Sequence, residues 1–213
     1  MQERATVPRG RHAPPLEVRQ SRQRGRLFAA AAAVFARVGY ADASAEAIAR
    51  EAGMSKATFY EHFANKEECI VALFDAATEM VLEAMRQAAA RDGADDPPAR
   101  VRSTLGAFLE TLATYPDESQ TLLVEIVGAG PRAIERRDRA LEALAQYLEE
   151  LNAEDAERGV GPRLAEHDAF AIVGAVVELA SRQIRTGVPH RIRELEPVVE
   201  RLTLGLLAAG TRP

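Results

Sequence analysis

The 213 residues include 47% hydrophobic and 5% aromatic residues, and the formal net charge is −5 at pH 7. This length allows one large domain or a small domain joined to a larger one, and the abundant alanine favours closely packed helices over a β-sandwich. A single cysteine excludes an internal disulfide framework, and we see neither a signal peptide nor an apolar run of about 18 residues, so we expect a cytoplasmic protein.

The charge is unevenly distributed along the chain. Residues 1–62 hold ten Lys and Arg against six Asp and Glu, a balance of +4, whereas residues 63–213 hold 17 against 26, a balance of −9. Residues 1–17 contain prolines that oppose helix formation, and we interpret them as a disordered basic arm.

The first helix is predicted from about Arg19 to Val38. Its apolar residues are spaced for one helical face, which predicts a buried set of Leu27, Phe28, Ala31, Val34, Phe35 and Val38. We expect Gly39 to end this helix and Tyr40 to fold back over its last turn.

Residues 45–70 predict two short helices around a tight turn, followed by a long third helix. Ser44 and Ser55 are N-cap candidates, and Gly53 supplies the positive φ that a sharp helix exit needs. Phe59 and Phe63 are predicted to point into the core. This arrangement is typical of a helix-turn-helix unit that probes the DNA major groove.

The long helix is predicted from Asn65 to about Ala90, with Glu68 completing a variant of the capping box. Asp92–Pro98 form a loop, and Gly and Pro clusters separate the later helices. No alternation of period two appears, so we predict an all-α chain. The later helices are expected at about 99–114, 117–127, 132–157, 169–180 and 197–210.

The segment from about Arg22 to Ile70 resembles the DNA-binding domain of the TetR family of bacterial transcriptional regulators. Two positions depart from the family pattern. The family often has glycine at the position of Ala57, and it usually has an aliphatic residue at the position of Cys69. The resemblance implies a helix-turn-helix domain over residues 18–64 and a helical effector-binding and dimerisation domain over residues 65–213. The matching residues are Ala31, Phe35, Gly39, Tyr40, Ile48, Ala49, Ala52, Gly53, Met54, Ser55, Thr58, Phe59, Tyr60, His62, Phe63, Lys66 and Glu67.

The motif positions suggest specific contacts with double-stranded DNA. Thr58, Tyr60, His62 and Lys66 resemble the phosphate-contacting positions of the family, and the helices capped by Ser44 and Ser55 would approach the backbone with their N-termini. The arm of residues 1–17 is either a solvated tail or a further phosphate or minor-groove contact. The expected base-reading residues are Lys56, Ala57 and Glu61.

Two later segments, residues 169–180 and 197–210, are apolar around more than one helical face. Such helices must be covered on both sides, either within a monomer core or by a second subunit in a four-helix interface. A homodimer also suits a short recognition helix, because two half-sites are then read together. The expected interface residues are Phe170, Val173, Gly174, Val177, Ile184, Val198, Leu202 and Leu206.

The resemblance further implies a repressor that a small, mostly apolar effector releases from DNA, although the sequence does not identify that effector. Most apolar residues on the middle helices are expected in the plain core, with some of them on a pocket wall. The candidate pocket residues are Phe74, Met80, Phe108, Leu112, Tyr115, Ile126, Tyr147, Phe170 and Val177.

Catalysis is the main competing class of function, and the sequence disfavours it. No nucleophile elbow, phosphate loop or dinucleotide motif is present, and we expect no cofactor. The histidines have no metal-ligand spacing, and His167-Asp168 is interpreted as helix capping. Two regulator variants remain open, namely ligand-independent DNA binding and a redox response through Cys69, for which a buried thiol is the simpler interpretation.

Overall fold

The computed structural model describes residues 16–91 and 96–209. These residues form helices and no β-strand, which confirms the all-α prediction. The predicted helix 117–127 divides into α6 and a 3-10 turn, Glu125–Gly128, and a second 3-10 turn, Ile192–Leu195, precedes α9. The helices are α1 (Leu16–Asp42), α2 (Ala45–Glu51), α3 (Lys56–His62), α4 (Lys66–Arg91), α5 (Pro97–Thr114), α6 (Pro116–Leu123), α7 (Pro131–Glu157), α8 (Asp168–Thr186) and α9 (Glu196–Ala209).

The first helix differs from its predicted bounds at both ends. It begins at Leu16, two residues inside the predicted arm, whose other residues 1–15 lie outside the described part of the chain. We expected Gly39 to end the helix; it adopts φ 77° and kinks the helix there, but helical turns resume and continue to Asp42. Val38 is 43% exposed and therefore does not join the predicted buried face.

Helices α1, α2 and α3 pack around a small aromatic core, and we call these three helices the head. Phe35, Ile48 and Phe59 are fully buried, and Phe63 is 1% exposed. Replacing a buried phenylalanine of this kind by alanine typically costs about 3–5 kcal/mol. The head therefore has a rigid core although α2 and α3 each contain only seven residues.

Helix α4 leaves the head from a capped first turn. Asn65 Oδ1 accepts a hydrogen bond from Glu68 N at 2.8 Å, as predicted. Glu68 Oε2 accepts from Ala64 N at 2.8 Å, one residue before the expected partner, Asn65 N. The reciprocal cap is thus shifted by one residue, and it still satisfies two backbone donors at the junction.

The helical body, α4 to α9, shares one continuous core with the head. Helix α6 and the first 3-10 turn pack against α1, while α4 packs against α5, and α7 against α8. Ile126 in that 3-10 turn is fully buried. Because the core continues across the junction, the head and the body are packed together without an apolar gap between them.

Candidate nucleic-acid interface and ligand cavity

Both short helices of the head begin at capped serines, as predicted. Ser44 Oγ accepts from Ala47 N at 3.1 Å, and Ser55 Oγ accepts from Thr58 N at 3.0 Å. An N-cap serine typically contributes about 1 kcal/mol to stability. The caps fix where α2 and α3 start, and so determine which side chains of α3 face outward.

The turn between α2 and α3 is held from the α1 side. Gly53 adopts φ 63°, and Met54 N donates to Ala49 O at 2.8 Å. Arg26 Nη2 donates to Ala52 O at 2.6 Å and lies 3.3 Å from where a Cβ on Gly53 would stand. The role of Arg26 was not predicted, because this contact joins positions 26 residues apart.

Helix α3 turns its two phenylalanines inward and leaves a compact outer face. All three predicted base-reading residues, Lys56, Ala57 and Glu61, are exposed to solvent. Tyr60 is 47% exposed, while Thr58 and His62 are half-buried. The outer face of α3 is therefore open to a large ligand, and apart from Tyr60 it carries short or flexible side chains.

Lys56 forms an ion pair with Glu46 of α2, and its ammonium also lies 5.7 Å from the ring centre of Tyr60. The hydrogen bond from Lys56 lowers the pKa of Glu46, and the same bond raises the pKa of Lys56. Both side chains remain about half exposed. Exposed pairs of this kind are weak, so an incoming phosphate can compete for the ammonium.

The structure gives Lys66 partners that were not predicted. Its Nζ donates to the backbone oxygens of Tyr40, Ala41 and Ala43 at 2.7, 2.9 and 3.0 Å. It also lies 4.5 Å from the ring centre of Tyr40. An ammonium has three donors, and these three carbonyls use all of them. Lys66 therefore caps the end of α1.

Two further α1 side chains contact α3 in ways that were not predicted. The guanidinium of Arg24 lies 5.1 Å from the ring centre of Phe28 and 5.0 Å from that of Phe63. Gln23 Oε1 lies 3.4 Å from His62 Nε2. The contact between Arg24 and Phe28 could have been predicted from the sequence, because the two residues are four positions apart on one helix.

The helical body contains a cavity of about 370 Å³ between α4, α5, α7, α8 and α9, and the cavity is partly open to solvent. We call it the body cavity. Its walls are mostly apolar and include Met85, Leu105, Leu148, Ile172, Val176 and Leu204. This volume lies at the lower end of the range typical of small-molecule sites.

One end of the body cavity carries a buried ion pair. Arg100 is 6% exposed, and its Nη2 lies 2.5 Å from Asp155 Oδ1 and 2.8 Å from Leu151 O. Its Nη1 lies 3.4 Å from Glu154 Oε2. The sequence signal was Arg100 itself, which stands in i, i+4, i+8 register with Thr104 and Phe108 on the buried face of α5.

Of the nine predicted pocket residues, three line the body cavity, namely Phe108, Tyr147 and Val177. Sequence apolarity marks buried residues but does not tell which of them border a void, and this explains the other six placements. Phe74 and Ile126 are core residues, Leu112 borders an open groove beside Ile192, Met80 is half-buried elsewhere on α4, and Tyr115 and Phe170 are 43% and 46% exposed.

The predicted dimer residues lie on α8 and α9, and one of them is corrected by the structure. Val177 is 6% exposed and faces the body cavity of its own subunit, so it has no surface for a partner. The others are exposed or half-buried, and Val173 also borders the cavity. These others are Phe170, Val173, Gly174, Ile184, Val198, Leu202 and Leu206.

Residues that could serve catalysis, metal binding or a redox response are isolated or buried. Cys69 is fully buried, and burial raises the pKa of its thiol to about 12. His167 is the exposed N-cap residue of α8 in a left-handed conformation and makes no side-chain cap bond, while Asp168 Oδ2 accepts from Ala165 N at 3.1 Å in the turn before the helix. Within residues 16–91 and 96–209, no three His, Cys, Asp or Glu side chains form a group suited to a metal, and no helix has the length and apolarity to cross a membrane.

Comparison with known proteins agrees with this geometry. Residues 27–73 match the family model of bacterial regulatory proteins, tetR family. The fatty acid degradation regulator FadR from Bacillus halodurans has a similar fold, with a TM-score of 0.77 at 20% identity over 92% of this chain and 97% of that one. FadR from Bacillus subtilis, solved in complex with stearoyl-CoA, gives 0.72 at 18% identity over 88% and 99%. PfmR from Thermus thermophilus, a TetR family regulator, gives 0.61 at 24% identity over 88% and 100%.

Proposed function

This chain is a TetR-family transcriptional regulator, and from that premise we propose that it is a repressor whose homodimer binds a palindromic operator and is released by a small hydrophobic effector. The observation that carries the proposal is α4, a single helix of 26 residues that joins the two sites. Lys66 at its start caps the head, and Met85 near its other end borders the body cavity. The two residues are separated by about 28 Å of helix at 1.5 Å per residue.

The DNA step is assigned to the outer face of α3 and to the capped start of α2. Lys56, Ala57 and Glu61 are proposed to read base edges, while Thr58, Tyr60 and His62 contact phosphates. Ser44 and Ser55 hold the helix N-termini toward the backbone. Lys66 supports these contacts indirectly, through the end of α1.

The dimer is assigned to the exposed apolar side chains of α8 and α9. A two-fold dimer would place two copies of α3 into successive major grooves, with half-sites about 34–36 Å apart. Exposed Phe170 and half-buried Leu202 support this surface, because apolar side chains on two adjacent helices are left without cover in one subunit.

Release is proposed to follow from two arrangements of head and body. An effector that binds the body cavity more tightly in one arrangement shifts the population toward that arrangement. The free energy of this shift cannot exceed the difference between its binding free energies for the two arrangements. The released arrangement holds the paired α3 helices at a spacing that does not match the grooves. The fold relative from Bacillus subtilis, solved with stearoyl-CoA, supports a ligand-responsive body for this fold.

Two other kinds of regulator are less well supported. The body cavity argues against a regulator without any ligand, because a mostly apolar cleft of about 370 Å³ has the size and lining of a small-molecule site. The burial of Cys69 argues against a redox response, because oxidation proceeds through the thiolate. We place the regulator in the cytoplasm, where its operator DNA would be.

The proposal is tested by selecting bound sequences from random DNA with the purified full-length protein. We expect enrichment of an inverted repeat, followed by loss of that binding when a cavity ligand is added. Enrichment of sequences without two-fold symmetry would count against the dimeric operator. Binding that no cavity ligand changes would count against effector control.

A further inference from the structure

The body cavity also indicates the chemical class of its ligand, and this inference rests on the proposed effector function. We propose that the ligand is uncharged, with an apolar body and a hydrogen-bonding group that meets the hydroxyls of Thr203 or Tyr147. A carboxylate, or the phosphates of a coenzyme A thioester, would then be the wrong chemistry for this cavity.

The argument against a charged ligand begins with Arg100. It is the cation on the described wall of the body cavity, and Asp155, Glu154 and Leu151 O already surround it. The carboxylate of Asp155 is itself only 9% exposed and also pairs with Arg158. An anionic ligand would therefore lose its hydration without gaining a free cation, which is costly in an apolar site.

The argument for a polar group on the ligand comes from two hydroxyls. Thr203 on α9 is 1% exposed, and its Oγ1 has no hydrogen-bond partner within the described chain. Tyr147 on α7 borders the same cavity, and its buried Oη has the Thr104 hydroxyl as a weak neighbour rather than a well-formed partner. Buried polar atoms are nearly always paired in folded proteins, so the unpaired Thr203 hydroxyl, with the weakly engaged Tyr147 hydroxyl on the same cavity wall, indicates a missing partner.

These hydroxyls suit a neutral ligand group. Burial raises the pKa of Tyr147, against smaller lowering effects from Arg86, Arg100 and Thr104, so the phenol keeps its proton. Thr104 Oγ1, which lies on the same wall, already donates to Arg100 O at 2.8 Å. A hydroxyl or carbonyl on the ligand can accept from Tyr147 or Thr203, and a hydroxyl can also donate.

The size of the cavity limits the ligand further. A volume of about 370 Å³ corresponds to roughly a dozen liquid water molecules at about 30 Å³ each. This space suits a medium-length chain alcohol or a bicyclic phenol. Because the cavity is partly open to solvent, this volume limits the part of a ligand that lies inside it.

The experiment measures binding to the full-length protein without DNA, by calorimetry at pH 7. Decan-1-ol and 2-naphthol serve as neutral probes, and decanoate and decanoyl-CoA serve as charged ones. We expect both neutral probes to bind at least about tenfold more tightly than either charged probe, because the charge is not compensated.

Two conservative variants test the hydroxyls, and the chain offers a matched control. Thr203→Val and Tyr147→Phe each remove one hydroxyl, and we expect either variant to weaken binding of a neutral probe by about threefold to tenfold. Thr78→Val is the control, because Thr78 Oγ1 is also buried without a partner but borders a separate small void beside Phe74. This control should leave the affinity unchanged.

The outcomes separate this inference from the proposed function. Tighter binding of decanoate or decanoyl-CoA, no binding of either neutral probe, or equal effects of Thr203→Val, Tyr147→Phe and Thr78→Val would overturn the inference. Operator release is measured separately by fluorescence anisotropy. If neutral probes bind but do not release DNA, the proposed ligand class is supported and the effector mechanism is contradicted. If charged probes bind best and release DNA, the effector mechanism is supported and the proposed ligand class is contradicted.

Discussion

The backbone N–H of Tyr40 donates to Glu125 Oε2 at 2.7 Å, across 85 positions of sequence. The other carboxylate oxygen of Glu125 accepts from Gln120 Nε2 at 2.9 Å. The carbonyl of Tyr40 accepts in turn from Lys66 at 2.7 Å. One residue at the end of α1 therefore connects the head to both α4 and the first 3-10 turn.

Replacing Glu125 by alanine should weaken this junction. The half-buried Tyr40 N–H would lose a charged acceptor, and we expect the free energy of unfolding to fall by about 1–3 kcal/mol. Urea denaturation measures this change. Glu149→Ala, on the exposed side of α7, is the control and should change stability by less than about 0.5 kcal/mol. Equal stability of the two variants would show that the contact contributes nothing.

The two lysines of the head should differ in how they affect DNA binding. Lys56→Ala removes an exposed ammonium that is proposed to read a base edge, so the variant should change the sequence preference. The lost cation should also lower the slope of log Kd against log salt, by up to about 0.9. Lys66→Ala should leave that slope unchanged, because its ammonium is held by three backbone carbonyls. Operator titrations from low to high salt provide the measurement.

The Lys66 variant should instead lower stability. Removing its ammonium leaves three carbonyls at the end of α1 without their donor, so the variant should unfold at a lower urea concentration than Lys56→Ala. A reduced salt slope in Lys66→Ala, with stability intact, would restore the phosphate contact that the sequence suggested.

The proposed dimer can be tested at Gly174 on α8. A Cβ at Gly174 meets no atom of its own subunit within 4 Å, so Gly174→Arg should still fold. In a two-fold interface the added side chain would separate the subunits, and sedimentation should show a monomer that binds operator at least tenfold more weakly. Ala143→Arg on the exposed side of α7 is the control and should remain dimeric. A dimeric Gly174→Arg would place the interface elsewhere.

Cys69 should make stability depend on pH in the alkaline range. The pKa of its thiol is about 12 in the folded chain and about 8.5 in the unfolded chain. The stability that the neutral buried thiol provides is therefore fully present below about pH 8.5 and is lost as the pH rises between these two values. In that window the unfolded chain ionises first, and stability should fall by about 1.4 kcal/mol per pH unit.

The variant Cys69→Ala isolates this effect, because the other ionisable groups are unchanged. Denaturation of both proteins at pH 7, 9 and 10.5 should show a shallower decline in the variant above pH 9. Parallel pH profiles would mean that the thiol ionises in the folded protein, and the redox interpretation of Cys69 would then need to be reopened.

Local patterns in the sequence were sufficient for the head. The caps at Ser44 and Ser55, the positive φ at Gly53 and the inward phenylalanines of α3 all depend on residues within a few positions of one another. Such interactions are encoded by spacing along the helix and need no knowledge of distant partners.

The role of Lys66 shows what local patterns miss. It stands in the first turn of α4, where a lysine looks free to meet phosphate, yet its partners lie 23 to 26 positions earlier in the chain. The sequence did not predict these partners, because a side chain's partners depend on which helix end it meets in space.

The sequence by itself determined the all-α class, the helix-turn-helix and the order of the helices, since hydrophobic period, caps and turn residues act over short distances. Only the tertiary structure decided which apolar residues border the body cavity, how Arg100 is neutralised and how Tyr40 joins Glu125. A helix in the core has apolar neighbours on every inward side, and its sequence does not tell which of them leaves a gap. Which faces meet, and what void remains between them, follows from the packing of the whole chain.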